Sequence, residues 1–183
     1  MLFRSGTDAF VAKYNPTGQL LWVRSFGGAG DDRAYGVAVD LRDDSVAVGG
    51  EFSQAVDFDP GDAICTRTSA GGFDAFALKL DTEGAFLWVG TVGSERSTPF
   101  GNSDSREYVA ALDIGAQGSI YMTGMINGNA TVGFGTGKAT LTAAGPQNSF
   151  ILSVDPHGDL VWAKQFTSTF LNAGGGVKAL PSG

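Results

Sequence analysis

Asp8-Ala9-Phe10-Val11-Ala12-Lys13-Tyr14-Asn15-Pro16-Thr17-Gly18, followed by Leu20-Leu21-Trp22-Val23, decides how this chain is read. The same plan returns as Asp74-Ala75-Phe76-Ala77-Leu78-Lys79-Leu80-Asp81-Thr82-Glu83-Gly84, followed by Phe86-Leu87-Trp88-Val89. The offset is 66, and nine of the twenty positions between 8–27 and 74–93 are identical. A third copy begins at Asn148-Ser149-Phe150 and keeps Asp155, Gly158 and Trp162. All three tryptophans therefore share one repeat position. A fixed period of this length is the signature of a repeat architecture.

The segments between the copies align as well. Tyr35-Gly36-Val37-Ala38-Val39-Asp40 matches Tyr108-Val109-Ala110-Ala111-Leu112-Asp113. Val46, Val48, Gly50 and Phe52 match Ile120, Met122, Gly124 and Ile126, and Val56 and Phe58 match Val132 and Phe134. Most of the extra length of the second repeat lies between Gly93 and Tyr108, which is seven residues longer than Gly27 to Tyr35. A connection that changes length while its flanks keep register is a surface loop. Ser94–Arg106 is thus the best-placed contact surface.

Each repeat holds four apolar runs, near 35–40, 46–52, 73–80 and 86–92 in the first complete set. They are bounded by Gly, Asp, Asn and Pro, the pattern of strands and turns. No glycine-free run of helical length carries an apolar i, i+3, i+4 spacing. Asn15-Pro16-Thr17-Gly18, Asp81-Thr82-Glu83-Gly84 and Asp155-Pro156-His157-Gly158 predict β-turns, with a side-chain cap first and a glycine for positive φ last. Two hairpins per repeat predict a four-stranded antiparallel sheet. Runs apolar on both faces predict stacking of such sheets around an axis. The expected fold is all-β, a partial β-propeller of four-stranded antiparallel blades. Two complete blades (35–92 and 108–166) are flanked by an outer half-blade (8–27) and the start of a further blade (175–183). The tryptophans are expected to pack between neighbouring sheets.

The string Asp8 to Asn15, with Gly18, Trp22, Gly27-Gly28-Ala29-Gly30-Asp31-Asp32, Tyr35 to Asp40, Gly49-Gly50 and Val56-Asp57-Phe58-Asp59-Pro60-Gly61, resembles the bacterial SBBP-type β-propeller repeat family. The resemblance covers nearly the whole chain. It implies seven-bladed propellers in secreted or surface-attached bacterial proteins, and no defined catalytic activity. Seven such repeats need roughly 460 residues. The 183-residue chain is accordingly expected to be a fragment whose partners include the remaining blades of its parent protein.

Composition narrows the function classes. With 12 basic and 19 acidic residues the net charge is −7, and the basic residues are scattered singly. Nucleic-acid binders show a basic face, so no nucleic acid is expected. No run approaches the ~18 apolar residues of a membrane span. The first residues lack a signal-peptide apolar core, so an extracellular or cell-surface location rests on the resemblance alone. One cysteine excludes an internal disulfide, and one histidine with one cysteine excludes the usual zinc sites.

The best candidate site is Asp57-Phe58-Asp59-Pro60-Gly61-Asp62, where Asp57, Asp59 and Asp62 could converge on calcium. Against this, no bidentate Glu follows, and the second repeat has Gly133-Phe134-Gly135 in place of the acids. A polar turn is therefore the preferred reading. No other cofactor is expected. Gly27–Asp32 lacks the ending of a phosphate loop and reads as the crossover between blades. His157 falls at a turn tip, Cys65 reads as a packing residue, and Asp40 and Asp113 read as repeated turn acids. The expected function is a non-catalytic module, a scaffold or an interaction surface for protein or carbohydrate. The alternatives are a hydrolase or lyase whose site needs missing blades, and a calcium-assisted carbohydrate-binding propeller.

Overall fold

The computed structural model describes residues 6–95, 105–167 and 174–180. Most of the long connection Ser94–Arg106, and residues 181–183 of the segment 175–183, lie outside them. All twelve elements are strands: β1 (Ala9–Tyr14), β2 (Leu20–Gly28), β3 (Asp32–Val39), β4 (Val46–Asp57), β5 (Thr66–Leu80), β6 (Phe86–Gly93), β7 (Tyr108–Ile114), β8 (Ile120–Ile126), β9 (Ala130–Phe134), β10 (Gly137–Leu141), β11 (Asn148–Val154) and β12 (Leu160–Phe166). The chain is all-β, and every strand pairing is antiparallel.

Pairing order explains the repeat. β3, β4, β5 and β6 form one four-stranded unit, joined in sequence order. β7, β8, β11 and β12 form a second. β1 and β2 pair as a hairpin equivalent to β5–β6 and β11–β12. The turns Asn15–Gly18, Asp81–Gly84 and Asp155–Gly158 close these hairpins alike. In each, the glycine N–H donates to the carbonyl of the first turn residue at 2.9–3.0 Å.

One feature departs from the four runs expected. β4 and β5 continue past the sheet into an arm, where Ala55, Val56 and Asp57 pair with Thr68, Arg67 and Thr66. Gln54 sits at φ 62° beside a register shift, so the strand bends there. The arm hydrogen-bonds sideways to β2, through Gly27↔Asp57 and Gly28↔Val56. In the second unit the same arm is a separate hairpin, β9–β10, which pairs with β6. Each arm thus fastens its unit to the outer strand of the preceding one.

Side-chain alternation buries both faces of the central strands β4 and β5 where they cross the first unit. Val46, Val48, Phe76, Leu78 and Leu80 face Ala9, Val11, Trp22 and Phe26 of the leading hairpin in one core. Phe26, Phe52, Phe58 and Phe76 meet there with several ring centroids 5.0–5.7 Å apart. Ala47, Ala75 and Ala77 point the other way, into a second core with Ile120, Met122, Phe150 and Leu152. Small residues on that face let the larger side chains of the next unit fill the gap at interior packing density. Among the described residues no helix is long and apolar enough to cross a membrane.

Candidate functional site

The two junctions between units use the same contacts. Trp22 Nε1 donates to the Thr82 carbonyl at 2.9 Å, and Trp88 Nε1 donates to the Pro156 carbonyl at 3.2 Å. Each indole of an outer strand is seated on the β-turn of the following unit. Thr82 and Pro156 hold the same turn position. The expectation that the tryptophans pack between sheets holds for these two, and the N–H anchor is an addition to it.

A carboxylate clamp repeats beside them. Asp32 accepts from the Gly28 N–H at 2.9 Å and the Ser53 N–H at 3.2 Å. Glu107 accepts from the equivalent Ser94 N–H at 3.3 Å and Asn127 N–H at 3.1 Å, and from Ser94 Oγ at 2.9 Å. Each clamp ties the end of an outer strand to the second strand of the next unit. Asp74, on β5 just past the register shift where the arm joins the sheet, lies over Gly93 so closely that a Cβ there would fall 2.0 Å from Oδ2. Burial pushes Asp74 up to about 6, against the pull of the Ala70 N–H it accepts at 2.9 Å. Burial pushes Glu107 up to about 7, and the Asp74 charge adds to that. In the third copy Asn148 takes the place of Asp74 and accepts from the equivalent Ala144 N–H.

At the crossover end of the inner strands stands a cluster with no counterpart in the other unit among the described residues. Glu51 on β4 is fully buried, where the second repeat has Met125. Its carboxylate takes both Nε and Nη2 of Arg106 at 2.7 Å, Arg33 Nη1 at 3.1 Å and the Tyr35 hydroxyl at 2.7 Å. Arg33 also reaches Asp31 at 2.9 Å. The two guanidiniums are thus balanced by two carboxylates. Both lie over the Phe73 ring, 5.4 and 5.6 Å from its centroid. Arg106 is held there by the backbone: Phe73 N–H donates to the Ser105 carbonyl and Glu107 N–H to the Phe73 carbonyl, each at 2.9 Å. Beside this cluster lies a cavity of about 500 Å³ lined by Ser53, Gln54, Gly71, Gly72, Phe73, Arg106 and Asn127. Hydrogen-bond donors around an aromatic ring suit a hydroxylated or carboxylate-bearing ligand.

The residues proposed from sequence occupy other places. Asp57 Oδ1 accepts from the Asp59 N–H at 3.2 Å and the Cys65 N–H at 2.9 Å, and Asp59 Oδ1 accepts from the Gly61 N–H at 2.8 Å. These two acids cap the tip of the arm, and Asp62 is exposed. Among the described residues no three His, Cys, Asp or Glu side chains gather to hold a metal. His157 is exposed at its turn tip, and half-buried Cys65 packs against the first core. Asp40 is buried and takes Arg42 at 2.7 Å and Lys79 at 3.5 Å, and its pairing with Arg42 pulls its carboxyl down to about 2. Asp113 meets Lys178 at 3.0 Å and the Ala179 N–H at 2.6 Å. Residues 174–180 therefore lie against the second unit.

The Glu51 cluster was not anticipated from the sequence. The signal that exposes it is a carboxylate in an apolar run whose repeat partner is methionine. No known family profile matches the chain, and no curated protein matches it.

Proposed function

We propose that the chain is a run of β-propeller blades acting as a non-catalytic scaffold and interaction surface. The observation that carries this reading is the remade junction. The contacts that seat β1–β2 on the first unit seat that unit on the second: the Trp anchor, the arm and the carboxylate clamp. A junction that recurs with one geometry sets successive units about a common axis, the arrangement from which propeller blades are built. The SBBP-type resemblance supports the same reading. It extends it to a secreted or surface-attached bacterial parent that supplies further blades.

The unrepeated Glu51–Arg106–Phe73 cluster favours a more specific role, carbohydrate binding at the crossover cavity. A residue needed only for stacking blades would recur in each blade. A polysaccharide panel tests both readings. Saturable binding that is lost in Arg106→Ala, with no turnover, supports the binding role, and no binding leaves the scaffold. Turnover of any glycan overturns the non-catalytic reading. Calcium at Asp57, Asp59 and Asp62 is a subsidiary proposal. It requires the melting temperature to rise in millimolar Ca²⁺ and is withdrawn if Asp59→Asn responds equally.

A further inference from the structure

Repeat positions that are buried inside the chain are exposed at its two ends. Phe10 is 61% exposed, while its equivalents Phe76 and Phe150 are 0% exposed. Tyr14 is 59% exposed against 0% for Leu80 and Val154. Gly18 is exposed, whereas Gly84 and Gly158 are buried beneath Trp22 and Trp88. The leading hairpin therefore presents the face and the turn that receive a preceding unit. The trailing unit presents the complementary half. Phe166 is 59% exposed where Phe26 and Val92 are buried. Trp162 lies beside Tyr121, their ring centroids 6.3 Å apart, and no following turn covers it among the described residues.

From this we infer that the chain associates head to tail with a second copy of itself, the trailing face of one copy covering the leading face of the next. The inference rests on the repeat reading above, and it puts a second copy where that reading puts a parent's further blades. Trp162 takes the turn Asn15–Gly18 of the neighbour as Trp22 takes Asp81–Gly84. Phe166 and Ile151 cover Phe10, Ala12 and Tyr14. The occupant is another copy because these two surfaces are the two halves of a contact the chain already makes twice internally. The leading hairpin has no arm among the described residues, so this junction lacks the sideways pairing of β2 and β6. Association is accordingly expected in the micromolar to millimolar range, about −8 to −4 kcal/mol. The contact is heterologous, so species beyond the dimer are expected.

Sedimentation velocity on the full chain tests this. The weight-average sedimentation coefficient is expected to rise with concentration. Phe10→Asp, which blocks only the leading face, and Phe166→Lys, which blocks only the trailing face, should each weaken association at least tenfold. Both sites are surface positions, and circular dichroism confirms that each variant keeps its strands. Mixing the two variants should restore a complex that stops at the dimer, since one intact face of each kind remains. A monomer at every concentration overturns the inference, as does a mixture that stays monomeric or single variants that assemble like the parent. Each of these results leaves the polysaccharide test of the functional reading standing.

Discussion

Asp74 shows how much a single position can report. Its Oδ1 has no hydrogen-bond partner among the described residues, and burial lifts its carboxyl to about 6. Asn148, at the same repeat position, adds a bond from Nδ2 to the Gly145 carbonyl at 3.0 Å. Because the folded-state value is raised, the Asp74 contribution is fully present below about pH 4 and is lost as pH rises through about 6. Glu107 acts in the same direction up to about pH 7. Asp74→Asn should therefore raise stability by about 2 kcal/mol at pH 8 and by much less at pH 4. Urea denaturation at the two pH values checks this, and an equal change at both, or a loss at pH 8, would contradict it. The repeat identity of Asp8 and Asp74 was legible in the sequence. Their clamp neighbours were not, because Asp32 follows Gly28 by four residues and Glu107 follows Ser94 by thirteen.

The turns are the elements most nearly written in the sequence. Asn15–Gly18, Asp81–Gly84 and Asp155–Gly158 all form, and their glycines adopt φ of 77° to 88°. What the sequence hides is that two of them are also seats. A Cβ at Gly18 would meet nothing within 4 Å, one at Gly84 would come 3.1 Å from the Trp22 ring, and one at Gly158 2.7 Å from the Trp88 ring. Gly18→Ala should cost about 1 kcal/mol, the backbone term alone. Gly158→Ala should cost at least about 1 kcal/mol more, since it also displaces an indole. Chemical denaturation of the two variants separates these terms, and equal losses would mean that the indole contributes nothing to the turn. The arms were hidden for a different reason. Alternation runs smoothly through Phe52, and only the φ of Gln54 turns the strand toward its neighbour.

At the scale of the whole molecule, periodicity revealed the units and their order, because equivalent strands of successive units repeat one apolar pattern. It did not reveal what makes the order rigid. Two indole anchors, two arms and two carboxylate clamps hold the leading hairpin and the two four-stranded units in register. The Glu51 cluster stands outside that pattern. The same periodicity that organises the fold makes an unrepeated carboxylate easy to overlook.

The claim that one junction is built twice is tested most directly by replacing the tryptophans one at a time with phenylalanine. Urea denaturation would be followed at concentrations where the chain is monomeric. Trp22→Phe and Trp88→Phe each remove an indole N–H bond to a turn carbonyl, and each should lose about 1–2 kcal/mol, the smaller loss at Trp22 because the Thr82 carbonyl keeps its bond from Lys13 Nζ at 3.2 Å. Trp162→Phe releases no turn among the described residues and should lose less than about 0.5 kcal/mol. Equal losses at all three positions, or the largest loss at Trp162, would contradict the account.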